Sequence, residues 1–161
     1  MSRSLPPRTS FLETLRAQLH QELEAIERVS SVTREEVTSD ETRSEGKYDT
    51  RATEASYLAR GQAWRIAQLR QLVSWCSQLS DTPPSTEYAC LGSLVLVETD
   101  DLFLYFLAPV GGTKITLNER VVRLVSPQSP IGQTMLGMQV DDEGLFESPS
   151  GPQPLALIEV S

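Results

Sequence analysis

The chain is short of the residues that most often announce chemistry. It has one histidine, His20, and two cysteines, Cys76 and Cys90. A zinc site gathers about four such ligands, so none is expected, and His20 reads as a surface residue of a helix. Two cysteines suit a reduced chain without a disulfide framework. Long apolar runs are missing too. Stretches such as Leu102 to Val110 fall far below the roughly 20 residues a membrane-spanning helix needs. The start, Met-Ser-Arg-Ser-Leu-Pro-Pro, carries neither an apolar segment nor a small-residue cleavage site. A cytoplasmic protein with no membrane partner is expected. There is no Gly-x-Ser-x-Gly and no Gly-Lys phosphate loop, so no independent active site is expected.

Positive charge is scarce in one half only. The net charge is −8. Residues 1–80 are neutral, whereas residues 81–161 hold three Lys/Arg against eleven Asp/Glu and carry the whole imbalance. Binding to a phosphate backbone relies on cations that displace counterions. Free DNA or RNA is therefore an unpromising ligand, and a basic protein surface or a metal ion fits better.

Within 161 residues, hydrophobic periodicity changes once. Residues 1–10, rich in Pro and Ser, read as frayed. Leu12, Leu15, Leu19, Leu23 and Ile26 recur at steps of three and four, the spacing of one helix face. Val29, Val32 or Thr33, and Val37 extend the stripe. Ser10 is a candidate cap, with Glu13 as its reciprocal partner. Polar residues 39–49, including Gly46, read as a loop or a loosened helical tip. A second helical run, from about Thr50 to Leu79, carries Ala55, Leu58, Ile66, Leu69, Val73 and Cys76 on its stripe, interrupted by Gln62. Two helices of about 28 residues would each be about 40 Å long. Neither can bury its stripe alone, which predicts an antiparallel hairpin with a coiled-coil seam. The linker Ser80-Asp-Thr-Pro-Pro-Ser-Thr86 ends the second helix.

Beyond it the period becomes two. Leu91 to Val97, Leu102 to Leu107, Lys114 to Leu117 and Arg120 to Val125 read as strands. Ser129, Pro130 and Gly137 frame a short helix, and Leu145 to Glu147 and Leu155 to Val160 read as two further strands. The expected architecture is α+β: a helical hairpin over residues 1–80, a linker over 81–87 and a β-rich domain over 88–161.

The C-terminal words resemble those of the GreA/GreB transcription elongation factors. Ser126-Pro-Gln-Ser-Pro-Ile-Gly-Gln-Thr-Met-Leu-Gly137 is similar to the family's "S-x-x-SPLG-x-ALLG" segment. Met138-Gln-Val-Asp-Asp142, Gly144 to Glu147, Pro149-Ser-Gly151 and Leu155 to Val160 follow in the family's order, and Leu91-Gly-Ser-Leu-Val-Leu96 resembles its "FGS-x-V-x-L" first strand. The likeness covers most of residues 88–160. It implies an FKBP-like antiparallel β domain with one short helix, without isomerase activity. In the hairpin, Glu54-Ala-Ser-Tyr57 lies on the "NAEY" end of the family's acidic tip "GDLSENAEY". That register places Thr50 and Thr53 where the two tip carboxylates stand, with Asp49 and Glu54 each one residue away.

The resemblance implies a monomeric, divergent accessory factor whose hairpin enters the secondary channel of RNA polymerase. The tip acids would assist a Mg²⁺ shared with the polymerase, which hydrolyses backtracked RNA; no cofactor is held stably. Mg²⁺ takes oxygen ligands and needs only one or two protein carboxylates. Glu45 and Asp49, spaced i,i+4, are the first candidates, and Asp40 and Glu41 the second. A solvated tip without chemistry, a non-cleaving regulator of the polymerase, and an interaction protein that has left the polymerase are the other readings. Tyr48, Tyr57, Trp64 and Trp75 are expected to pack in the hairpin or on the β domain, with partner contact as the alternative. Arg51, Arg60 and Arg65 are candidates for ion pairs across the hairpin.

Overall fold

The computed structural model describes residues 2–41 and 50–161, with side chains described outside 33–41, 50–52 and 55. The observed architecture is α+β. Two long helices come first, α1 (Arg8–Glu41) and α2 (Thr50–Ser77), of 34 and 28 residues. The strands β1 (Leu94–Glu98), β2 (Leu102–Leu107), β3 (Lys114–Leu117) and β4 (Arg120–Val125) follow, then the short helix α3 (Pro130–Met135) and the strands β5 (Glu143–Ser148) and β6 (Gly151–Val160). By compactness the chain forms two units, one of residues 1–16 and 76–161, the other of residues 17–75.

The sheet has six strands in the order β3-β4-β2-β1-β6-β5. Its pairs are antiparallel except β2–β4, where Leu104 stands beside Val122 and Leu107 beside Val125 in parallel. The sheet is mostly antiparallel, as expected; the one parallel pair arises because β3 crosses to the sheet edge and lets β4 return in the direction of β2. Asn118 and Glu119 both have positive φ, 48° and 64°. That is the type I′ conformation whose twist matches a tight hairpin. β1 begins at Leu94 rather than Leu91 because Gly92, at φ 90°, turns the chain first.

In the central strands β1 and β2 both faces are buried, so both strand parities are apolar there. One face gathers Val95, Val97, Tyr105, Leu107, Leu155 and Leu157 beneath Ala89, Met135 and Met138. The other buries Leu94, Leu96, Leu104, Phe106, Val122 and Leu124. Phe11, from the first turn of α1, tilts its ring against Phe106 with centroids 5.0 Å apart.

The N-terminal segment is pinned, not frayed. The Leu5 N–H donates to the Glu159 carboxylate at 2.9 Å, and Arg120 donates to the Ser4 carbonyl at 2.7 Å. Arg8 is buried and donates to the carbonyls of Gly92, Ser80 and Ser161. α1 therefore starts two residues before Ser10, which sits inside the helix; the Phe11 N–H already bonds the Pro7 carbonyl. Proline just ahead of the first turn loses no hydrogen bond, since those N–H groups have no partner in any helix.

α3 uses the capping and glycine positions of its motif. Ser129 accepts from the Gly132 N–H, and Pro130 opens the first turn. A Cβ on Gly132 would collide with the Ser126 carbonyl oxygen and stand 2.8 Å from the Ser129 hydroxyl oxygen. Gly132 is therefore demanded by close approach, while Gly137, at φ 84°, makes the left-handed exit.

Candidate functional site

Of the four sequence-predicted acids, Glu45 and Asp49 lie outside the described residues. Asp40 and Glu41 form the last turn of α1, with their side chains outside the described set. Tyr48 and Arg51 lie outside it as well. Among the described residues no group of three or more His, Cys, Asp or Glu is placed to hold a metal ion, and no helix is long and apolar enough to cross a membrane.

Below the tip, residues 17–75 show how the two helices are held together. Arg65 donates to Glu22 at 2.7 Å and Arg70 to Glu27 at 2.7 Å. Arg65 thus fulfils its expected ion pair. Arg60 instead places its guanidinium 5.9 Å from the centre of the Tyr57 ring. Both ion pairs are partly exposed, so each contributes at most about 1 kcal/mol. The apolar seam contributes more, since burying one leucine is worth about 1.5–3 kcal/mol. Leu19, Leu69 and Leu72 are fully buried, and Ile66 nearly so.

Farther along, the seam turns polar. After Ile26 the buried position is Ser30, whereas Val29 and Val32 are 55% and 54% exposed. The heptad step of four from Ile26 lands on Ser30; extending the stripe by three had landed on Val29. On α2, the Oε1 of Gln62 is buried with no hydrogen-bond partner among the described residues. Nearby, a cavity of about 320 Å³ is lined by Glu27, Ser30, Ser31, Ala63, Ile66 and Arg70. Arg70 and Glu27 neutralise each other in its wall, so it gathers no uncompensated charge or nucleophile.

Two expected packing residues point outward. Tyr57 is 67% and Trp64 66% exposed, and Leu58 is 57% exposed. Trp75 is half-buried and His20 exposed. Sequence reasoning missed the exposure of Trp64 because ring size was weighed above angle. On a 100° wheel Trp64 lies roughly opposite Ile66 and Leu69, and that signal was available.

At the base, Arg16 donates to the Cys76 carbonyl at 3.1 Å and to the Leu79 carbonyl at 2.8 Å. It satisfies carbonyls that a helix end leaves without partners. Cys76 and Cys90 are free thiols. Burial pushes the Cys76 thiol up to about 11, so it is no nucleophile at neutral pH.

No family model and no curated protein sequence matches this chain. Among solved structures it is similar to GreA factor homolog 1 (Gfh1) of Thermus thermophilus, at 20% identity over 91% of this chain and 94% of that one, with a TM-score of 0.38. It is similar to Thermus aquaticus Gfh1 at 18% identity over 99% of both chains, with a TM-score of 0.39. The elongation factor GreA/GreB from Nitrosomonas europaea shares 16% identity over 68% of this chain and 92% of its own, with a TM-score of 0.35. These values leave the chain's activity unassigned.

Proposed function

We propose that this chain is a cytoplasmic accessory factor of RNA polymerase that acts during transcript elongation through its helix pair. One observation carries the reading: an antiparallel helix pair, joined by a segment bearing Glu45 and Asp49, precedes a sheet domain in which Ser129, Pro130, Gly132 and Gly137 of the Ser126–Gly137 motif each meet a backbone requirement in or beside α3. The motif that carries the sequence resemblance is thus a structural requirement of this domain and not a chance string.

Within that reading, Glu45 and Asp49 are the acids that reach the polymerase's own active site, with Asp40 and Glu41 behind them. Carboxylates are the oxygen donors that Mg²⁺ takes. The ion, when bound, orients water and neutralises developing charge. The factor works as a monomer and lends donors to the polymerase, holding no metal of its own.

Thr50 and Thr53, at the positions of the family's two tip acids, favour a second reading: a regulator that occupies the polymerase without promoting cleavage. A transcript-cleavage assay on a stalled elongation complex separates the two. Stimulated cleavage that the Glu45→Ala/Asp49→Ala variant loses, with polymerase binding retained, supports the first. Binding without cleavage in the parent chain supports the second. No binding to the polymerase overturns both.

A further inference from the structure

The scarce cations of residues 81–161 are not scattered. Lys114, Arg120 and Arg123 all lie on β3 and β4. Arg120 is occupied by the N-terminal segment through the Ser2 and Ser4 carbonyls. Lys114 and Arg123 stand directly opposite each other in the antiparallel register. The Leu124 N–H bonds the Thr113 carbonyl at 2.8 Å, so the neighbouring pair 114/123 is the non-hydrogen-bonded kind, in which side chains come closest. Both side chains are exposed. Like charges directly opposite on one face are destabilising. The ion pairs of the described residues nevertheless lie elsewhere, and neither Lys114 nor Arg123 takes part in one.

The cations border Phe103, which is partly buried against the core that includes Tyr105. In the parallel register Arg123 lies beside Tyr105, and its guanidinium sits 5.0 Å from the centre of the Phe103 ring. The Phe103 and Tyr105 rings are 6.2 Å apart. Val121, on the same face as Arg123, is 44% exposed. Asp100, at the neighbouring turn, is held by the Thr99 hydroxyl. A flat strip two cations wide, with Val121 and Phe103 alongside, runs along the last two strands of an otherwise acidic sheet.

We propose that this outer face of β3 and β4 binds a short acidic protein segment in extended conformation, its carboxylates on Lys114 and Arg123 and an apolar side chain on Val121 and Phe103. Charge complementarity sets the occupant: arginine and lysine side by side suit carboxylates. The surface lies on β3 and β4 alone and does not depend on any polymerase.

The test is fluorescence anisotropy on the full chain without polymerase. The probe is a labelled Glu-rich peptide of about ten residues with one central leucine, which spans about 33 Å as a strand. The expected result is binding at low salt that weakens as salt rises, and that falls by about tenfold or more in Lys114→Glu/Arg123→Glu. The single variant Lys114→Glu, at an exposed side chain with no hydrogen bond among the described residues, keeps the fold and lowers affinity on its own. No binding by the parent chain, equal binding by the reversed variant, or tighter binding of a single-stranded DNA of matching length overturns the proposal.

Discussion

Two arginines near the start of α1 bond backbone carbonyls and no carboxylate. Arg8 reaches three carbonyls from three separate segments, and burial pulls its guanidinium below the ordinary value. A charge-assisted bond contributes about 1.5–3 kcal/mol, and losing the donor would leave several buried acceptors short. The sequence put Arg8 in a frayed tail, because no periodicity marks a side chain whose partners are 72 to 153 residues away. Cys76 offers a measurable consequence of burial. Its thiol holds its proton more tightly folded than unfolded, so the contribution to stability is whole below pH 9 and is lost as pH rises from 9 toward about 11. The denaturant midpoint should fall through that window. At about pH 8 a thiol reagent should label Cys90 in the native chain, and Cys76 only after unfolding. Prompt labelling of both thiols would contradict the buried position of Cys76.

In α2 and α3, two glycines have opposite roles. Gly61 lies on the exposed side of α2, and a Cβ there meets nothing within 4 Å. Gly61→Ala should therefore raise stability by about 0.5–1 kcal/mol, through the helix propensity it restores. Gly132→Ala should lower stability by more than about 2 kcal/mol, because the Ser126 carbonyl and the Ser129 cap must both give way. Thermal melts of the two variants should move in opposite directions; a shared sign would contradict this packing. The glycine of an S-P-x-G string was legible as a backbone requirement, but which oxygen it makes room for was not. The seam shows the same division. Leu19, Ile66 and Leu69 followed from spacing, while the switch from Val29 to Ser30 depends on how the facing helix is turned.

At the scale of the whole molecule, the β-rich sequence from residue 88 onward has neighbours from both ends of the helix pair. The sheet shares its unit with residues 1–16 and 76–87, and the N-terminal residues bring Phe11 against Phe106 and Arg8 to Gly92 and Ser161. A fragment of residues 88–161 should expose the Phe106 face, bind a hydrophobic dye and lack a cooperative melt. Adding residues 1–16 and 76–87 through a short linker should restore one. A cooperative melt by the short fragment would show that the N-terminal segment is ornamental. The linker expectation at 81–87 rested on two prolines, which mark where a helix ends.

By itself the sequence determined the two helices, the strands β2, β3 and β4, the α3 motif and the order in which they follow. Each rests on local spacing, or on a residue whose backbone limits are its own. Only the tertiary structure decided the parallel β2–β4 pair, the anchoring of residues 2–8, the outward turn of Tyr57, and the meeting of Lys114 with Arg123. Those depend on which distant groups become neighbours, and a chain read one window at a time carries no measure of that distance.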